Sequence, residues 1–341
     1  WRTAKGDNAA VQDVRQLLQS PAFKAANTGL RADLLRGVTL VHSDAFQALP
    51  AADQQRVRDI LAARKPGDTQ LAQKLSDLLH SGSFKKLSQD EKTAVLSQAR
   101  NYPTSAVVGN LGRLLDKGWF QGMSLEDKQR SLKTIAYMTD YSHGDRTILD
   151  NTLNKLLDPK LNFSLEWKTQ APGVGAYYSA GTGRVTMNSS DVPADNQPVE
   201  SASVWQIVNA VPHEINHAID DVHVAPTFAY LEKEYQAYYT GDQAQNGRPM
   251  TRKEVADLWR DKLLDTSGIY RKAASGALAD PVEAAKIFAY LTQLTGVTVT
   301  AANYKTVLAN PSGWNPPYDA SKGPDIAVPA GVTPRGNTDN R

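Results

Sequence analysis

Cysteine is absent from this 341-residue sequence, and histidine occurs only six times. The lack of cysteine excludes disulfide bonds and thiolate metal ligands, so any metal site must be built from imidazole and carboxylate groups. A chain without cysteine suits a protein that bacteria export, and it also suits a cytosolic protein.

The sequence also lacks a strong net charge and long apolar runs. Its formal net charge of +2 gives no support for a nucleic-acid or acidic partner. No stretch approaches about eighteen consecutive apolar residues, so no membrane span is predicted. The chain begins with Trp1 rather than Met, which predicts a processed N-terminus, so the lack of a signal peptide is uninformative. The length predicts two domains.

Helical repeats are predicted for residues 1–143. Residues 78–88 match residues 114–124, and two fainter copies precede them. Ser88, followed by Glu91, has the spacing of a helix N-cap, so each repeat is expected to be a helix, a turn closed by phenylalanine and a second helix. Units of this length usually stack on one another, which favours a helical scaffold over a dedicated peptide-binding solenoid.

The pattern changes after this region, and a second domain is predicted over 144–310. Residues 163–167 alternate as in a strand, and 174–178 with 184–188 form a predicted hairpin around a glycine-rich turn. The polar stretch 311–341 is predicted to be an extended or disordered tail. The expected fold class is therefore α+β and α-rich, with a small sheet.

The motif that carries chemistry is His213-Glu214-Ile215-Asn216-His217. A helix is predicted from about residue 198 to 221, and on it positions i and i+4 share one face. His213 and His217 could therefore bind one metal ion, and Glu214 could accept a proton from a water on that ion. The alternative is two ordinary histidines on an amphipathic helix.

A catalytic zinc site needs a third protein ligand, and three candidates are present. His223 has the spacing of the third histidine in the H-E-x-x-H-x-x-G-x-x-H pattern, but Asp220 stands where that pattern has glycine. Glu234 and Glu232 lie on the next predicted helix, on the two edges of its apolar stripe. The sequence favours Glu234 and leaves the other two open.

The motif and its surroundings, residues 160 to 240, resemble the zincin metallopeptidases of gluzincin type. Residues 213–221 are also similar to the active-site helix of secreted bacterial toxin and effector proteases, including lethal-factor-like ones. The resemblance implies a zincin-like domain and peptide hydrolysis with Zn²⁺. It also implies that His213, His217 and Glu234 are the ligands and that Glu214 is the general base.

By the same resemblance the protein is expected to be a hydrolase that acts on a protein or peptide and is secreted by a bacterium as a virulence factor, with delivery into a target cell left open. The oxyanion of the reaction needs a donor besides the metal. Tyr238 is the candidate, with Tyr235, Tyr239 and Tyr178 left open. Asp220 or Asp221 could accept a hydrogen bond from the ring N–H of a histidine that binds zinc through its other nitrogen.

Zincins of this type hold an extended peptide at the exposed edge of their sheet, and the strand 184–188 is the expected edge. Two other functions remain open from the sequence alone. One is a helical-repeat interaction protein with an inactive zincin domain, and the other is a hydrolase of cell-wall peptides. The oligomeric state is not predicted.

Overall fold

The computed structural model describes residues 8–171, 174–179, 181–219 and 227–322. It is 66% helical and 5% strand, with a small three-stranded sheet, which confirms the predicted α-rich α+β class. No helix in these residues combines the length and apolar character that a membrane crossing needs.

The described chain divides into two compact units, and neither is a single segment of sequence. The first unit takes its residues from 1–141, 157–169 and 189–203, and the second takes its residues from 142–156, 170–188 and 204–341.

Residues 8–140 contain eleven helices. They are α1 (Asn8–Gln19), α2 (Pro21–Ala25), α3 (Thr28–Val41), α4 (Asp44–Gln47), α5 (Ala51–Ala62), α6 (Leu71–His80), α7 (Gly82–Lys86), α8 (Gln89–Asn101), α9 (Ser105–Leu115), α10 (Gly118–Gln121) and α11 (Leu125–Asp140).

The repeats have the predicted helical caps, but the turns between their long helices are themselves short helices. Ser88 and Glu91 form the two reciprocal bonds of a capping box at the start of α8. The phenylalanines Phe46, Phe84 and Phe120 lie on the short helices α4, α7 and α10, and all three are buried. Burial of this ring in each repeat explains why the phenylalanine recurs in the sequence.

Eight further α-helices follow. They are α12 (Arg146–Leu157), α13 (Ser201–Trp205), α14 (Val211–Ile219), α15 (Phe228–Asn246), α16 (Arg252–Leu258), α17 (Arg271–Ala279), α18 (Pro281–Thr295) and α19 (Tyr304–Ala309). Two π-helical segments, Gln206–Ala210 and Trp259–Leu263, extend α13 and α16, and Pro311–Gly313 and Ala320–Lys322 are 3₁₀ turns.

The motif helix is interrupted by a π-helical segment. Where one helix was predicted from about 198 to 221, α13 leads into the π segment Gln206–Ala210 and then into α14. Pro212 is the second residue of α14 and lacks the N–H that an unbroken α-helix would use there. The π-helical segment directly before it uses i→i+5 hydrogen bonds in place of the α-helical i→i+4 bonds. Such π-helical turns within α-helices are frequent at functional sites.

The sheet contains β1 (Ser164–Lys168), β2 (Ala176–Ser179) and β3 (Arg184–Asn188), in the order β1-β3-β2. The predicted hairpin is present, because β2 pairs antiparallel with β3. The predicted edge strand is wrong: β3 is central and its Thr186 is fully buried, whereas β2 lies at an edge. The sequence could not show this, because the neighbour that covers β3 is β1, which lies outside the hairpin.

The core of the second unit is aromatic and fixes the position of α15. The Trp259 ring lies 5.3 Å from that of Tyr290 and 5.9 Å from that of Tyr235, centroid to centroid. Tyr235 and Trp259 are fully buried. Ring clusters of this kind stabilise a fold through buried apolar area and through oriented ring contacts. Because Tyr235 lies in the middle of α15, the cluster fixes the position of that helix.

The residues after 310 are folded as far as 322, which corrects the prediction of a tail starting at 311. Trp314 is buried, and its Nε1 donates a hydrogen bond to the Val307 carbonyl at 2.8 Å. The Arg252 guanidinium lies over the Trp314 ring at 5.6 Å. This one aromatic side chain docks a stretch that is otherwise poor in aliphatic residues. Residues 323–341 lie outside the described residues.

Candidate metal centre

His213 and His217 lie on one face of α14, as their spacing requires. Their Nε2 atoms are 3.2 Å apart, and the His213 side chain is buried. Two ring nitrogens this close both point toward the same small volume. The helix therefore presents two imidazole ligands to one point.

Glu234 reaches the same point from α15. Its Oε2 lies 3.4 Å from Nε2 of His217 and 3.9 Å from Nε2 of His213. Ligands at about 2.1 Å from a tetrahedral metal are roughly 3.4 Å from one another. The three separations of 3.2, 3.4 and 3.9 Å therefore match the edges of one coordination shell.

Glu214 lies beside this group and faces β2. Its Oε1 is 3.9 Å from Nε2 of His213, and ligand atoms of His213, Glu214 and His217 all lie within 4.8 Å of one another. These residues could hold a metal ion. The Glu214 carboxylate also accepts a hydrogen bond from the backbone N–H of Tyr178.

The register of the hairpin explains that bond to the backbone. Asn188 donates its N–H to the Gly175 carbonyl at 2.8 Å, which makes this a hydrogen-bonded pair. Because hydrogen-bonded and open pairs alternate along an antiparallel ladder, the opposed residues Tyr178 and Val185 form an open pair. The Tyr178 N–H therefore points away from β3, toward the edge of the sheet where Glu214 lies.

The two carboxylates at this site have opposite pKa shifts. Burial raises the pKa of Glu214 to about 7. Burial would also raise the pKa of Glu234, but the hydrogen bond and charge of His217 outweigh it and lower this pKa to about 2. Neighbouring carboxylates with pKa values driven apart commonly have different roles, one as a base and one as a fixed anion.

The pKa values of the two histidines are also shifted in opposite directions. Burial lowers the pKa of His213 to about 3, so its ring is neutral and keeps a lone pair for a metal. For His217, burial favours a lower pKa, but the hydrogen bond and charge of Glu234 raise it. A metal ion at this point would replace the proton that His217 shares with Glu234.

Three tyrosines, Tyr230, Tyr238 and Tyr270, complete the surroundings, and only Tyr238 is predicted from the sequence. The Tyr230 hydroxyl donates a hydrogen bond to the Glu234 carboxylate. The Tyr238 ring packs edge-on against the His213 ring, with centroids 4.5 Å apart. Tyr270 donates its hydroxyl proton to Oε2 of Glu234 at 2.8 Å, and its oxygen lies 3.2 Å from Oη of Tyr238. Because a carboxylate only accepts, Tyr238 is the donor in the second bond. No sequence signal links Tyr270 to the motif.

The other predicted residues are placed as follows. Tyr235 and Tyr239 are buried in the aromatic core and were wrongly considered as oxyanion donors. Glu232 lies about 200° around α15 from Glu234. Its charge adds to burial in raising the pKa of Tyr290. Residues 220–226, with Asp220, Asp221 and His223, lie outside the described residues.

Comparison with models of protein families, with curated proteins and with solved structures gives no match for this chain.

Proposed function

We propose that this protein is a zinc-dependent metallopeptidase. The observation that carries the proposal is the convergence of His213, His217 and Glu234, whose facing atoms lie 3.2 to 3.9 Å apart. Two imidazoles, one carboxylate and no thiolate are the donor set of many catalytic zinc sites, which keep a fourth position open. Zinc bound there would supply a Lewis acid and lower the pKa of a water molecule.

In this proposal Glu214 is the general base. Its pKa of about 7 lets it accept a proton near neutral pH, and the Tyr178 N–H holds its carboxylate beside His213. Tyr238 is the proposed donor to the oxyanion, because it lies against His213 and, among the described residues, its hydroxyl bonds to Tyr270 alone. Tyr270 holds the ligating oxygen of Glu234.

The substrate is proposed to be a protein or peptide that lies extended along β2. The side of β2 that faces away from β3 carries the backbone groups of Ala176 and the carbonyl group of Tyr178, whereas the Tyr178 N–H donates to Glu214. Backbone groups of this kind pair with an added strand. Since Tyr178 also bonds to Glu214, a peptide on this edge would lie next to the proposed base.

Secretion by a bacterium, as an effector or toxin, is part of the proposal. It is supported by the similarity of residues 213–221 to the active-site helix of secreted bacterial proteases and by the absence of cysteine.

The test begins with metal analysis of protein purified without added zinc. We expect one zinc per chain in the unaltered protein and in Glu214→Gln, and loss of metal in His213→Ala. Hydrolysis of unfolded casein is expected only for the unaltered protein, because Glu214→Gln removes the base but no ligand.

Two results would count against the proposal. A protein that binds no stoichiometric metal is not a zinc enzyme. A Glu214→Gln variant of the purified protein that retains full hydrolysis shows that Glu214 is not the base of the reaction. Purified peptidoglycan, assayed beside casein, distinguishes a hydrolase of cell-wall peptides from a general protease.

A further inference from the structure

A cleft of about 320 Å³ opens beside Tyr238. We call it the Tyr238 cleft; its walls include Trp205, Asp242, Leu258 and Lys262. The ring of Tyr238 is shared between this cleft and His213, so a group in the cleft lies one aromatic ring from the candidate metal centre. The volume is in the range of small-ligand pockets, which start at roughly 300 Å³.

Most of the charges around the Tyr238 cleft neutralise one another. Glu254 receives two hydrogen bonds from Arg248, at 2.7 and 2.8 Å. Arg260 lies 2.6 Å from Asp261 and 3.0 Å from Asp257. Paired carboxylates and guanidinium groups contribute little net field, so these residues do not decide the charge of a ligand.

Two charges of opposite sign remain on the walls. The Lys262 ammonium lies 4.5 Å from the centre of the Tyr238 ring, and no described residue accepts a hydrogen bond from it. The Asp242 carboxylate accepts a hydrogen bond from the Asn246 side chain, but its Oδ2 atom is buried and receives no hydrogen bond from any described residue. The two groups act on each other electrostatically: burial raises the pKa of Asp242, and Lys262 is one of the charges that lower it.

We infer that the Tyr238 cleft binds a zwitterionic group, an ammonium and a carboxylate on one carbon, at the end of a substrate side chain. Its carboxylate would pair with Lys262 and its ammonium with Asp242. The inference rests on the proposed peptidase function, which it extends by naming a class of substrate.

Ligands with one charge satisfy only half of this arrangement. A carboxylate alone would meet Lys262 but leave Asp242 as a like charge in the same cleft. An ammonium alone would meet Asp242 and be repelled by Lys262. A zwitterion places an opposite charge against each wall, and opposite charges in a partly desolvated cleft form the stronger hydrogen bonds.

The chain linking such a group to the peptide has an apolar wall beside it. Trp205 is 44% exposed, a large exposed fraction for tryptophan, and it lines the cleft. Its ring is held close to the backbone, since a Cβ added at Gly175 would lie 2.7 Å from it. An aliphatic side chain of several carbons can therefore lie on the indole.

The experiment compares four peptides of the form acetyl-Ala-X-Ala-amide. X is 2,6-diaminopimelic acid, lysine, 2-aminopimelic acid or norleucine, so the side chain ends in a zwitterion, an ammonium, a carboxylate or a methyl group. Their dissociation constants are measured by calorimetry on the full-length Glu214→Gln variant loaded with zinc, which is expected not to cleave them.

We expect the diaminopimelic peptide to bind about tenfold or more tightly than the lysine and aminopimelic peptides, the gain typical of one hydrogen bond to a charged group. Adding Lys262→Met should reduce its affinity to that of the lysine peptide. Adding Asp242→Asn should reduce it to that of the aminopimelic peptide. Lys305→Met is the matched control, because Lys305 also lies over a tyrosine ring, that of Tyr304, and it should change nothing.

Other outcomes overturn the inference. Equal binding of the lysine peptide would make the cleft a cation site, and equal binding of the aminopimelic peptide would make it a carboxylate site. Four equal affinities, or no binding, would show that the cleft is not a subsite. The peptide series uses the unaltered cleft, so it decides even if a cleft variant fails to fold. If the peptides bind with the expected differences but the unaltered protein hydrolyses no substrate, the proposed peptidase function is wrong and the inferred binding site stands.

Discussion

Replacing Tyr270 with phenylalanine removes one hydroxyl group from the candidate metal centre and leaves every proposed ligand in place. The hydroxyl donates to Oε2 of Glu234 at 2.8 Å, and this is the oxygen that faces His213 and His217. Its loss should leave the Glu234 carboxylate held less firmly against the histidines, because the Tyr230 hydroxyl would be its remaining tyrosine donor among the described residues. We therefore expect Tyr270→Phe to weaken zinc binding.

The magnitude follows from the kind of bond that is lost. Hydrogen bonds to charged groups contribute about 1.5–3 kcal/mol, and removing a partner that orients a metal ligand typically costs about 10- to 100-fold in affinity. Because a bound cation would share the carboxylate charge, the lower half of this range applies. The expected increase in the zinc dissociation constant is thus about 10- to 30-fold.

Competition with a chromogenic chelator measures this dissociation constant at fixed pH. Tyr304→Phe is the matched control, because Tyr304 is also largely buried and its ring packs on Phe288. Both variants should keep the thermal midpoint within a few degrees of the unaltered protein. If Tyr270→Phe binds zinc within twofold of the control, Tyr270 does not position Glu234 and the reasoning fails.

Three further predictions concern stability and the edge of the sheet. The hydrogen bonds from its arginine partner lower the pKa of Glu254 from 4.5 to about 2, so Glu254→Gln should cost about 1–2 kcal/mol of unfolding free energy at neutral pH, allowing for solvent exposure. That difference should vanish as the pH falls from 4.5 to 2 in urea titrations; a constant difference would contradict it. Gly241→Ala should cost about 1–3 kcal/mol in the same assay, because the new Cβ would lie 2.7 Å from the Asn209 carbonyl; unchanged stability would mean that α15 can move. Tyr178→Pro should keep the fold by circular dichroism yet reduce hydrolysis below that of Tyr178→Ala, because both variants lose the phenol ring but only proline lacks the N–H that holds Glu214; an unfolded protein would show that β2 needs that N–H for pairing.

Local spacing was enough to predict the parts of the site that lie on single helices. His213 and His217 share a face because an α-helix places residues i and i+4 together, whatever surrounds it. Glu234 was favoured because it borders the apolar stripe of its helix, and the structure brings it to the histidines. In both cases the informative residues are separated by one or two turns.

The parts that were missed depend on contacts between distant segments. Tyr270 is 36 positions from Glu234, and its approach depends on how α17 packs, which no local pattern encodes. The central position of β3 depends on β1, although β3 alternates polar and apolar residues as an edge strand would. Trp314 was assigned to a tail because its neighbours are polar, and a single aromatic residue has no periodicity to detect.

The discontinuity of the two units has a consequence for protein engineering. The chain passes from one unit to the other after residues 141, 156, 169, 188 and 203. A truncation near residue 143 would therefore leave segments 157–169 and 189–203 of the first unit attached to the C-terminal fragment, without the rest of that unit. A single cut after residue 141 keeps every segment of the unit that carries His213 and Glu234, but only together with these two incomplete pieces of the first unit. Expression libraries made by stepwise truncation should consequently recover soluble, metal-binding protein only from clones that retain both units.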